Sequence, residues 1–116
     1  MRSLFVALAM LGGLVTAAFA ADPVGTYKVQ GTNPNGGSYT GTVTVTKTGQ
    51  TYQVVWEIGD TQFEGTAIGN KDFMAVTYHS GDNTGLALYG EDGGNWRGLW
   101  TYAGGTKIAS ENWKRE

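Results

Sequence analysis

The chain has no cysteine, one histidine and two prolines among its 116 residues. Without thiols there is neither a disulfide staple nor thiolate chemistry, and a single histidine cannot complete the usual zinc ligand sets. Charge is sparse and balanced: Lys and Arg number 8, Asp and Glu 10, and no like-charge run exceeds Lys114-Arg115. Nucleic acid and anionic membrane surfaces need a basic face to neutralise phosphates, so this charge balance disfavours both as main partners. Long apolar runs are missing too, apart from Leu4 to Val15 near the start. That run is shorter than the roughly 20 residues a spanning helix requires.

The same run sits between Arg2 and the small-residue site Ala18-Phe19-Ala20, followed by Ala21-Asp22-Pro23. A basic start, an apolar middle and an A-x-A end form a secretory signal, expected to be cleaved after Ala20. Residues 1–20 are thus read as a signal peptide and 21–116 as one domain. With no cysteine at the cleavage site to carry a lipid, the cleaved chain is expected to be periplasmic or secreted and not inserted in a membrane. A domain of this size buries a modest core, so sheet closure and aromatic packing must supply its stability.

What the chain does have is glycine, 19 residues, all but Gly12 and Gly13 lying beyond the leader. Glycine clusters recur between segments rich in Val, Thr, Tyr and Trp, the pattern of an all-β meander. Strands are expected near 25–30, 39–47, 51–58, 61–68, 73–79, 85–90, 95–102 and 107–114. The connections carry turn chemistry, as in Asn33-Pro34-Asn35-Gly36-Gly37, Gly59-Asp60 and Gly93-Gly94. Hairpin-length loops leave no room for crossover helices, so an antiparallel up-and-down arrangement follows. Eight short strands remove their edges by closing into a barrel, with a flattened sandwich as the alternative.

Alternation assigns faces. Tyr39, Gly41, Val43 and Val45 share one side of their strand, and Thr40, Thr42, Thr44 and Thr46 the other. By the same parity Tyr52, Val54, Trp56 and Ile58 point in, as do Phe63, Gly65 and Ala67, then Met74, Val76 and Tyr78, then Trp96, Gly98 and Trp100. The sixth strand is ambiguous between Leu86 with Leu88 and Ala87 with Tyr89. Three times an aromatic residue is followed at i+2 by glycine: Tyr39-Thr40-Gly41, Phe63-Glu64-Gly65 and Trp96-Arg97-Gly98. Each triplet sets a ring beside an empty position on one face, which suits a tightly curved sheet.

Catalytic signals are thin. His79 and Ser80 lie at a strand end without the elbow that presents an activated serine. The turns Asp82-Asn83 and Glu91-Asp92-Gly93 match no calcium-loop spacing. Glu57 and Glu64 fall on the outer face. Glu111 shares parity with Ala109 and Trp113, so it is expected to be a buried acid needing a partner from Arg97, Lys28 or a tyrosine hydroxyl. No catalytic residue, metal site or cofactor is expected.

The aromatics are the stronger hint, with 4 Trp and 6 Tyr. Rings fill a small barrel, and they also line pockets, where faces contact an apolar ligand and polar tips orient it. Small inner positions at Gly41, Gly65, Ala67 and Gly98 leave room for a pocket. The expected role is a non-enzymatic binding barrel holding a small apolar or amphipathic molecule at an open end lined by Trp56, Tyr78, Trp96 and Trp100. The alternative is a filled barrel acting as a protein-binding module, an adhesin or an envelope-enzyme inhibitor, through its Thr-rich outer strand and the loop Asn33 to Ser38. Oligomeric state is not legible.

The run Gly25-x-Tyr27-x-Val29-x-Gly31-x-Asn33-Pro34, with Tyr39-x-Gly41-x-Val43, Tyr52-x-Val54-x-Trp56 and Trp96-x-Gly98-x-Trp100, resembles a group of small exported bacterial proteins sometimes labelled fibronectin-binding. That label implies adhesion to an extracellular protein. More distantly, the opening Gly-x-aromatic before eight meandering strands is similar to avidin and lipocalin barrels. Here the opening ring is Tyr27 rather than Trp.

Overall fold

The computed structural model describes residues 22–116, and the expected signal peptide at 1–20 lies outside them. The described chain forms β1 (Gly25–Thr32), β2 (Ser38–Thr48), β3 (Thr51–Ile58), β4 (Thr61–Gly69), β5 (Phe73–Ser80), β6 (Asn83–Asp92), β7 (Asn95–Tyr102) and β8 (Ala109–Arg115). They pair antiparallel in chain order and β1 pairs with β8, closing the barrel. The expected up-and-down barrel is therefore the observed fold, and the sandwich alternative is not.

Two-residue loops join β2 to β3, β3 to β4, β5 to β6 and β6 to β7, through the pairs Thr48↔Thr51, Ile58↔Thr61, Ser80↔Asn83 and Asp92↔Asn95. Each of these loops opens on a glycine at positive φ: Gly49 at 60°, Gly59 at 61°, Gly81 at 59° and Gly93 at 64°. That conformation lets the turn follow the right-handed twist of its strands. The eighth strand starts at Ala109, later than its pattern suggests. Thr101 Oγ1 donates to the Lys107 carbonyl, 2.8 Å, and Ile108 stays exposed, so both residues belong to the β7–β8 loop.

The inner faces follow the alternation, and the sixth strand resolves in favour of Gly85, Ala87 and Tyr89. Leu86 and Leu88 point outward, 51% and 59% exposed, beside exposed Leu99, Phe73 and Ile68. The ring-and-glycine device works differently from the expected one. Glycines on the inner face are covered by rings from the neighbouring strand: Gly31 by its pair partner Tyr39, Gly85 by Tyr78 and Gly98 by Tyr89. Directly paired residues on adjacent strands stand closer than i and i+2 within one, so the cross-strand ring occupies the space. Gly41 and Gly65 instead lie close to backbone carbonyls, those of Glu57 and Thr77.

Up-and-down order alternates the barrel's ends. The loops at 33–37, 59–60, 81–82 and 103–108 share one end, and those at 49–50, 70–72 and 93–94 share the other with residues 22–24 and Arg115. The second end is shut. Pro23 is buried and its carbonyl accepts from the Tyr27 hydroxyl, 2.6 Å. Arg115 clasps the closure, lying 4.7 Å over the Tyr27 ring and donating to the carbonyls of Gly94, Val24 and Asp22. Trp96, Trp113, Tyr27 and Met74 are the largest side chains buried in this core.

Candidate functional site

The first end, by contrast, holds a cavity of about 480 Å³. Its wall is aromatic because β2, β3, β4, β5 and β7 each place an inward ring near this mouth: Tyr39, Trp56, Phe63, Tyr78 and Trp100. The rings meet at steep angles. Trp56 and Tyr78 lie at 65°, Phe63 and Tyr78 at 75°, Tyr78 and Trp100 at 74°, with centroids 6.0 to 6.2 Å apart. Such edge-to-face contacts stabilise one another beyond their buried area. The rim is braced by backbone acceptors, with Trp100 Nε1 donating to the Thr32 carbonyl, 3.1 Å, and the Tyr78 hydroxyl to the Thr101 carbonyl, 3.2 Å. Asn33, Asn83 and Tyr102 add polar groups around the mouth.

Glu111 forms the floor, 4% exposed. Its Oε2 accepts from Trp56 Nε1 at 2.8 Å, Tyr89 Oη at 2.6 Å and Trp113 Nε1 at 2.6 Å, while Oε1 accepts from Tyr39 Oη at 2.5 Å. The partner expected among Arg97, Lys28 and a tyrosine hydroxyl is thus the hydroxyl, twice over, joined by two indole N–H groups that the pattern did not suggest. Arg97 lies on the outer wall with Asp92, 3.7 Å away, and Lys28 is exposed. Burial, then the adjacent Glu111 charge, raises the Tyr39 and Tyr89 hydroxyls well above the ordinary phenol range. Tyr78 is pushed up to about 12, by burial first, then by Tyr102 and Glu111. All three phenols therefore remain neutral donors at neutral pH.

Of the four residues expected to line a pocket, Trp56, Tyr78 and Trp100 come together and Trp96 does not. Trp96 is the second residue of β7, beside the shut end, fully buried, with an indole N–H that has no hydrogen-bond partner. Its parity with Trp100 fixes which face it is on but not its height along the barrel. Tyr39, Phe63, Ile58, Ala87, Tyr89, Tyr102 and Glu111 line the cavity without having been singled out for it. A signal for most of them was present: in a meander, odd strands end and even strands begin at the same mouth. His79 is exposed on the outer wall, and among the described residues no group of His, Asp and Glu gathers as metal ligands.

No protein-family model and no curated protein matches the chain. Solved structures do. A redesigned β-barrel bound to DFHBI superposes with a TM-score of 0.69 at 19% identity, covering 84% of this chain and 98% of its own. Another redesigned β-barrel gives 0.69 at 20% identity, over 84% and 96%. A fluorescence-activating β-barrel designed de novo gives 0.62 at 16%, over 84% and 98%. These likenesses concern the fold.

Proposed function

We propose that this protein is an exported, non-enzymatic barrel that binds a small apolar or amphipathic molecule in the cavity at its open end. The carrying observation is the contrast between the two halves: one end is packed with Trp96, Trp113, Tyr27 and Met74, the other leaves about 480 Å³ between inclined rings. A volume in that range suits a small organic ligand. The protein-binding alternative began from a filled interior, which holds for one half only. That a redesigned barrel of this fold is bound to DFHBI supports the reading by analogy. The leader expected at 1–20 from its sequence supports export.

The test is a panel of apolar and amphipathic molecules, DFHBI among them, followed by tryptophan emission and thermal unfolding. Trp56 and Trp100 line the cavity and should report occupancy directly. A ligand at one hundred times its Kd should add about 2.7 kcal/mol of stability. Ala87→Leu, which fills the cavity wall, should abolish that gain while the chain still folds. A panel that moves neither signal overturns the reading. Mass spectrometry of the exported protein, expected to begin at Ala21, checks the leader.

A further inference from the structure

The floor of the cavity carries a carboxylate that has no ion-pair partner among the described residues. Among the described residues the only ion pairs are Lys71 with Asp72 and Arg97 with Asp92, all exposed. Arg115 spends its donors on backbone carbonyls at the far end. Every group bound to Glu111 is a neutral phenol or indole donor, so its carboxylate is set to accept and meets no cationic partner there, away from bulk water, where Coulomb attraction for a cation is stronger. The four donors are also unevenly shared, three on Oε2 and one on Oε1. A carboxylate offers about four lone-pair sites over its two oxygens, so Oε1 has room for a further donor. The single donor on it, Tyr39, is itself a cavity residue.

The walls act in the same sense. Rings inclined at 65° to 75° surround a space on several sides rather than stacking into a slab. Aromatic faces carry negative potential and attract ammonium groups. An anion entering this space would meet both the faces and the carboxylate with the wrong sign. A neutral ligand would gain only from area.

Building on the reading that the cavity holds a small molecule, we propose that it selects organic cations: an amine whose apolar part lies among Trp56, Phe63, Tyr78 and Trp100 and whose ammonium N–H reaches Oε1 of Glu111. The test uses calorimetry with three near-isosteric probes at neutral pH: para-tert-butylbenzylamine, para-tert-butylbenzyl alcohol and para-tert-butylbenzoate. The amine should bind about tenfold tighter than the alcohol, with the benzoate weakest. An alcohol that binds as tightly as the amine overturns the cation assignment and leaves the pocket reading standing. If none of the three binds, both fall. Tyr39→Phe leaves the cavity shape nearly unchanged but strips Oε1 of its protein donor. The amine's advantage over the alcohol should then widen, and an unchanged or smaller advantage rules out Oε1 as the contact.

Discussion

Glu111 does two jobs through its two oxygens. Oε2 ties together Trp56, Tyr89 and Trp113 from β3, β6 and β8, so one side chain fixes rings from across the barrel. Glu111→Ala would strand three buried donors and the half-buried Tyr39 hydroxyl, and the expected loss is about 4 kcal/mol, read as a fall in the urea midpoint at constant m. The phenols around it set an alkaline limit. Tyr78 titrates near 10 when unfolded and about 12 when folded, and Tyr39 and Tyr89 shift in the same direction. A raised folded pKa means that above pH about 10 the unfolded chain binds fewer protons than the folded one, so stability falls as pH rises. Thermal midpoints should be flat from neutral pH towards 10 and decline beyond it. Tyr78→Phe should blunt the decline, and a midpoint that rises above pH 10 would contradict the assignment.

At the level of the strand, glycines that look alike in sequence differ in what faces them. A Cβ at Gly98 would run into the Tyr89 ring, whereas one at Gly90 meets nothing within 4 Å. Gly98→Ala should therefore cost about 2 kcal/mol by overpacking, and Gly90→Ala should gain about 0.5 kcal/mol from a less flexible unfolded chain, both by equilibrium unfolding. The Trp pair of β7 separates in the same way. Trp96→Leu is expected to cost about 3 kcal/mol and leave ligand binding intact, while Trp100→Leu should weaken binding at a smaller cost in stability. Equal effects on binding would contradict the placement of Trp96. These pairs mark how far the sequence could be read. Parity alone assigns the inner faces of β2, β3, β4, β5 and β7, because in each the polar residues gather on one face and the rings or β-branched apolar residues on the other, even though Ile68, Phe73 and Leu99 break the outer pattern. It fails on β6, where both faces are apolar and the smaller residues, Gly85 and Ala87, turn inward because Tyr78, Tyr89 and the cavity take up the space. It is also silent on register, so the cover that Tyr89 gives Gly98 and the convergence of donors on Glu111 become visible only once partners are fixed.

Taken as a whole the barrel is asymmetric along its axis, filled and latched at one end and hollow at the other. The alternation of ends in a meander makes that division, since every odd strand starts at the latched end and finishes at the mouth. Residues 22–24 and Arg115 sit together at the latch, where the Glu116 N–H donates to the Thr26 carbonyl, 3.0 Å. A tether attached at either of these positions therefore leaves the mouth pointing away from whatever holds the protein. The same closeness governs its response to force. Tension applied between Asp22 and Glu116 loads the latch bonds of Arg115 and Glu116 first and then opens the β1–β8 seam from Tyr27↔Arg115 pair by pair, as a zipper, so the barrel should yield to pulling far more readily than its closed sheet would suggest.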